Sequence, residues 1–256
     1  LQLLIASIEK NRLGKNRNHI VYSQGYFARV LLAQGNLQDA QASLDIAHEV
    51  QRRAAIIPLL QSMLEIVQAR MWLLKGNLEE VQQWVSWRIS NPSDAPECRE
   101  MELLMRVRWL LLQGEAHNAI SILTELAVPV QQSGRISTMI EIWVLQALAY
   151  TLTDNRVKSF DVLEQAIVYA APQGCMRVFL NEGAAMRKLL LDYQAQRSEH
   201  KLRGNSFVPT LLEAFAAEKT IGFPLGNQTT ALHPLPDALS EREIEVLHRL
   251  ANGFSY

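Results

Sequence analysis

The chain has 256 residues, 48% hydrophobic and 20% charged, with a formal net charge of −1 at pH 7. That much apolar material can bury a core, either as one extended array or as two compact units, and it excludes a disordered segment. A charge this close to zero supplies no field toward nucleic acid or an anionic membrane, and apolar runs such as Trp109-Leu110-Leu111-Leu112 are far shorter than a membrane span.

In chain order, residues 1–9 read as the second helix of a preceding repeat. First helices are then expected over 19–34, 57–75, 97–113 and 135–152, and second helices over 37–52, 78–90, 116–127 and 156–170. Between the members of each pair stands a turn signal: Gly35-Asn36-Leu37, Gly76-Asn77-Leu78, Gly114-Glu115-Ala116 and Asp154-Asn155-Arg156. Their first residues are 41, 38 and 40 positions apart, so the unit is a helix-turn-helix pair repeated four times. Gly and Asn suit such turns because both tolerate positive φ where a helix must stop sharply.

A finer pattern runs through the same units. Seven residues before each turn stand Ala28, Ala69, Val107 and Ala147, and five after it stand Ala40, Val81, Ala119 and Ser159. Each pair is separated by 12 positions, and all eight side chains are small or modest, as two helices need where their backbones approach. One turn further along each second helix come Leu44, Val85, Leu123 and Leu163, on the same face.

These residues resemble the tetratricopeptide (TPR) family. There, a small residue on the first helix and an alanine on the second are separated by the same interval. Leu31, Trp72, Leu110 and Tyr150 fill the bulky first-helix place. The period near 40 is longer than the family's 34, and loops such as 91–96 absorb the excess. The resemblance implies an all-α fold: a TPR-like right-handed superhelix of antiparallel helix pairs over 1–172, closed by a C-terminal helical cap over 173–218. Cap helices are expected near 183–195 and 207–218, and Gly222, Pro224, Gly226, Pro234 and Pro236 mark a linker over 219–238.

Residues 239–256 begin with Ser240 and Glu243 in capping-box spacing and reach Gly253. Leu239, Ser240, Arg242, Glu243, Glu245, Val246, Leu247, Ala251 and Gly253 are similar, in register, to the first helix of the LuxR-type helix-turn-helix. The stretches 171–183 and 207–215 look like the end of the repeat domain in MalT-like regulators, which are built as NTPase, repeat domain and DNA-binding domain. The chain opens at Leu1 and stops at Tyr256 within the motif, so a piece of a longer regulator is expected. The resemblance places DNA contact in the parent's complete C-terminal domain, since base reading needs a recognition helix in the major groove. It places ATP in the parent's missing N-terminal part, because no Gly-x-x-x-x-Gly-Lys-Ser/Thr loop occurs here. No cofactor is expected in this stretch.

Catalysis has no visible basis. The six histidines, His19, His48, His117, His200, His233 and His248, share no metal-ligand spacing with one another or with a cysteine. Cys98 and Cys175 are expected as two buried thiols of a cytoplasmic protein. The acidic pair Glu79-Glu80 starts a helix, where the dipole favours negative charge. The expectation is a binding module, not an enzyme.

The binding surface should be the concave side, lined by first helices. Six positions before each turn stand Arg29, Arg70, Arg108 and Leu148, so three of four adjacent helices present arginine at one level. Such a ladder suits a carboxylate or phosphate, or stacking on a flat ring. On the plainer reading, long cations solvate a helix face and pair with neighbours such as Glu65 or Glu102. Tyr22, Tyr26, Met63 and Met101 lie at nearby offsets, residue types common both in adaptable grooves and in ordinary cores. Trp84, Trp87 and Arg88 are expected as an exposed patch, while Trp143 takes a core position. The expected occupant of the groove is a small-molecule inducer or, alternatively, a protein or peptide partner, with self-association of the arm and no membrane partner.

Overall fold

A computed structural model describes residues 17–198 and 206–217. The expected helix over 1–9, linker over 219–238 and helix-turn-helix start over 239–256 lie outside the described residues. Four helix pairs come first: α1 (Arg17–Ala33) with α2 (Leu37–Arg53), α3 (Pro58–Lys75) with α4 (Leu78–Ser90), α5 (Pro96–Leu112) with α6 (Ala116–Gln132), and α7 (Ile136–Leu152) with α8 (Arg156–Ala170). A 3₁₀ turn over Ala171–Gln173 leads to the short α9 (Arg177–Leu180), then α10 (Gly183–Ser198) and α11 (Phe207–Ala217). No strand occurs among the described residues. The fold is an all-α, TPR-like repeat array with a helical cap.

The turns close identically. Gly35, Gly76, Gly114 and Asp154 all adopt positive φ, at 77°, 76°, 78° and 55°. After each, the next residue's N–H returns to the carbonyl five positions back: Asn36 to Leu31, Asn77 to Trp72, Glu115 to Leu110 and Asn155 to Tyr150, at 2.8–2.9 Å. This is the Schellman arrangement, which satisfies carbonyls that a helix end would otherwise orphan. The asparagines act differently from expectation. Asn36 and Asn155 have φ of −86° and −91° and cap the following helix, each side chain accepting a backbone N–H, from Asp39 and Lys158, at 3.2 Å. Their short amides serve as N-caps, and the residue before them takes the left-handed conformation.

Packing follows the small-residue pattern. Ala28, Ala40, Ala69, Val81, Val107, Ala119, Ala147 and Ser159 are each 0% exposed. In the fourth pair the contact is polar, with Ser159 Oγ donating to the Ala147 carbonyl at 2.8 Å. Leu44, Leu123 and Leu163 complete the interior at 0% exposure. First helices also pack on one another, α1 on α3, α3 on α5 and α5 on α7, while α9 and α10 of the cap lie on α7. Phe179 and Phe207 meet edge-on there, their centroids 5.9 Å apart.

The sixth helix departs from expectation by continuing to Gln132 rather than stopping near 127, with Pro129 inside it. Proline removes one helical N–H, yet Pro129 faces solvent in the final turn while Val130 beside it is fully buried. Burial of Val130 fixes that turn, and Gly134, at φ 68°, ends it.

Candidate functional site

Three sides of one cavity are already implied by this packing. Its volume is about 270 Å³, and Arg29 of α1, Arg70 of α3 and Arg108 of α5 all line it. Ile140 and Glu141 of α7 and Arg177 of α9 close it. A second, adjoining space of about 90 Å³ shares the three arginines and adds Met63, Val67, Met101 and Met105. The turn offsets therefore translate into a shared wall. The fourth ladder position, Leu148, is buried in the core, so the row of arginines ends at α7.

Exposure falls along the ladder. Arg29 is exposed, Arg70 half-buried and Arg108 buried. Arg108 is committed within the protein: its Nη2 meets Glu182 Oε1 at 2.5 Å and Glu141 Oε1 at 2.8 Å, and its Nε lies 3.1 Å from Glu182. Its Nη1 donates to the Leu104 carbonyl at 3.4 Å. Burial works against this charge, but the carboxylates of Glu182 and Glu141 outweigh it and hold the guanidinium above its ordinary pKa. Arg70 feels the opposite balance. Burial, reinforced by repulsion from Arg108, pushes its pKa down to about 10, with Glu182 and Glu141 offsetting only part of that. The guanidinium stays charged at neutral pH, and the site carries positive potential.

Arg108 of the ladder does pair with acidic neighbours, but with Glu141 and Glu182 and not with Glu65 or Glu102. The last two carboxylates belong to Arg88 of α4, which contacts Glu65 and lies 3.0 Å from Glu102. Arg88 is accordingly buried, and so is Trp84; of the expected exposed patch only Trp87 remains outside, beneath the Arg88 guanidinium at 4.6 Å. The physical reason is inter-repeat packing, which buries the faces of α4 that meet α3 and α5. Trp143 is partly buried against the core, with its ring centroid 5.1 Å from that of Tyr169.

Tyr22 and Tyr26 fall outside both cavities. They are exposed, with ring centroids 4.7 Å apart, and Arg29 lies over Tyr26 at 5.3 Å. The hydrogen bond to Tyr26 raises the Tyr22 pKa. Together they form an aromatic step at the α1 edge of the groove. Of the two thiols, Cys98 is buried as expected, but Cys175 is only partly so and sits on the cavity wall, because the turn after α8 brings it there.

Sequence reasoning missed Glu141, Glu182 and Arg177. Glu141 had a signal: it stands thirteen positions before its turn, the offset already occupied by Tyr22, Met63 and Met101. Glu182 and Arg177 had none, since their partners lie 74 and 144 residues away. Arg177 donates to the carbonyl of Ala33, at the end of α1, at 2.7 Å, so the cap reaches back to the first described helix.

A stacked array of helix pairs around a shared cationic cavity defines a helical-repeat region of the sensing or interaction kind, a type that is typically non-catalytic. Residues 1–196 match the family described as the MalT-like TPR region, and the chain belongs to that family. Among curated proteins, none matches the chain. No helix among the described residues is long and apolar enough to cross a membrane.

Proposed function

We propose that the chain is the effector-sensing arm of a larger, cytoplasmic LuxR-family regulator, and that the cavity between the repeats and the cap receives a small-molecule inducer. The observation that carries this reading is the convergence of Arg29, Arg70 and Arg108, from three successive first helices, on one shared concave space. Family membership supports the sensing role. The LuxR-type string over 239–256 supports the link to transcription, with DNA bound through the parent's complete C-terminal domain.

A small ligand fits better than a peptide. The cavity, at about 270 Å³, lies just below the usual range of roughly 300–1,000 Å³ for small-molecule sites, and Cys175, Arg177, Val178 and Asn181 before the cap helix α10 form one wall of it. An inducer held there contacts repeats and cap together, and it acts through its different affinity for two arrangements of them. The test is a thermal-shift screen of the protein against organic acids, phosphate esters, oligosaccharides and nucleotides. A ligand at a hundred times its dissociation constant adds about 2.7 kcal/mol of stability, which raises Tm by several degrees. A hit lost in Arg70→Gln supports the reading. A blank across all four classes, with a long peptide library binding instead, replaces the inducer by a docked partner.

A further inference from the structure

An acidic group of the protein's own stands behind the cavity wall, against Arg108. Glu182, in the two-residue link between α9 and α10, is 2% exposed and lies against Arg108, itself 4% exposed. Every donor group of Arg108 is engaged, by Glu182, Glu141 and the Leu104 carbonyl. Glu182 holds both Nε and Nη2, so a ligand that is to pair with that edge of Arg108 must take the place of Glu182. Among the described residues, four guanidinium groups (Arg29, Arg70, Arg108 and Arg177) and one carboxylate (Glu141) line this space, with Glu182 behind Arg108, so positive groups outnumber negative ones there by four to two. Among the described residues no aromatic ring lines either cavity, and Tyr22 and Tyr26 stand outside both, so a sugar ring within the cavity finds no flat apolar face there to stack on.

We propose that this cavity takes a compact polyanion, a polycarboxylate or a phosphate ester, which competes with Glu182 for Arg108 and so loosens α9 from the repeats. The inference rests on reading the cavity as a ligand site, and it adds the ligand's chemistry and the element it acts on. Guanidinium groups bind carboxylate and phosphate alike through paired N–H donors, so the shared chemistry is a small multivalent anion. Displacement has a mechanical consequence. A carboxylate pushed off Arg108 cannot remain at 2% exposure without a partner, so the 181–182 link must move outward toward water. The link is continuous with α9, a single turn of four residues, which also holds the α1 end through Arg177 and Ala33. An anion that binds the loosened arrangement better than the closed one shifts the population between them, and the C-terminal direction of the chain receives that shift.

The test titrates citrate, glucose 6-phosphate and, as the neutral comparator, glucose into the 256-residue protein at constant ionic strength, by calorimetry. Hydrogen exchange over residues 177–182 is followed in parallel. At least one of the two anions is expected to bind at least tenfold tighter than glucose, and the arm that responds tells carboxylate from phosphate. Arg70→Gln should weaken that binding at least tenfold. Glu182→Gln, which removes the competitor, should strengthen it several-fold; Glu182→Asp, whose shorter carboxylate reaches Arg108 poorly, should move it the same way if the amide variant does not fold. Amides over 177–182 should exchange faster with the anion bound. Binding of neither anion to wild type or to a folded Glu182 variant overturns the proposal, as does anion binding that leaves 177–182 unchanged. Arg70-dependent binding of glucose, or of a neutral hit from the screen, would overturn the anion proposal while leaving the ligand site standing.

Discussion

Arg108 and Glu182, 74 residues apart in the chain, form an ion pair in which both side chains are almost entirely removed from solvent. One belongs to the third repeat and the other to the cap. The contact therefore ties the start of the cap to the middle of the array, across the face where the arginine ladder runs. Its energetic character follows from burial. Such a pair is costly to desolvate and adds little net stability as a pair, but removing one partner strands a buried charge.

Arg108→Ala should lower stability by about 3–5 kcal/mol, the penalty of leaving buried Glu182 without its cation, and Glu182→Ala should cost less, because Glu141 stays beside Arg108. The double change Arg108→Met with Glu182→Leu should recover most of that loss, because the cost lies in the orphaned charge. Urea denaturation of the three variants, followed by far-UV circular dichroism, distinguishes these outcomes; a double variant no better than either single one contradicts the assignment.

The turns supply a matched pair of backbone tests. Gly114 sits at φ 78° with no heavy atom within 4 Å of where a Cβ would be, so Gly114→Ala adds conformational strain without a clash. It should cost about 1–2 kcal/mol. Asp154 already bears a side chain at φ 55°, and Asp154→Gly should gain a few tenths to about 1 kcal/mol, the relief exceeding the added freedom of the unfolded chain. Opposite signs of ΔTm for the two variants are the expected result.

Close helix approach predicts intolerance at the small positions. Ala69→Leu should cost at least about 1–3 kcal/mol through overpacking, because the site is fully buried opposite Val81. Ser159→Ala keeps the size and loses the bond to the Ala147 carbonyl, and should cost only about 1 kcal/mol. Melting temperatures of both variants, ranked in that order, support a contact governed by space.

The two cysteines should differ in reactivity. Cys98 is buried, and burial also raises its pKa, which lowers the thiolate fraction at neutral pH. Cys175 is partly accessible at the cavity wall. One thiol of the folded protein should react promptly with a chromogenic disulfide and the second only after unfolding, with mass spectrometry locating the first label on Cys175.

The repeat, its turns and the register of its small residues were legible in the amino-acid string because each depends on local geometry. A left-handed residue must end each first helix, and a small side chain must sit at each close approach, so Gly35 and Gly76, or Ala28 and Ala40, recur at fixed offsets. The arginine ladder was legible for the same reason, since equal offsets on stacked helices share a level. What those arginines touch was not legible. Pairing of Arg108 with Glu182, and of Arg88 with Glu65 and Glu102, depends on how repeats and cap settle in three dimensions, and no spacing rule encodes a contact over 74 residues. The end of α6 was not legible either: a helix-breaking residue, Pro129, is tolerated where burial of its neighbour Val130 holds the turn.

The central claim is that the cavity formed by the arginine ladder is where the effector binds. Its most direct test is the affinity of a thermal-shift hit for wild type, Arg29→Gln and Arg70→Gln, measured by calorimetry on proteins of matched fold content. Loss of a charge-assisted contact of about 1.5–3 kcal/mol corresponds to a weakening of roughly ten- to more than a hundredfold, larger at half-buried Arg70 than at exposed Arg29. Unchanged affinity in both variants would place the effector elsewhere and leave the arginines a structural role alone.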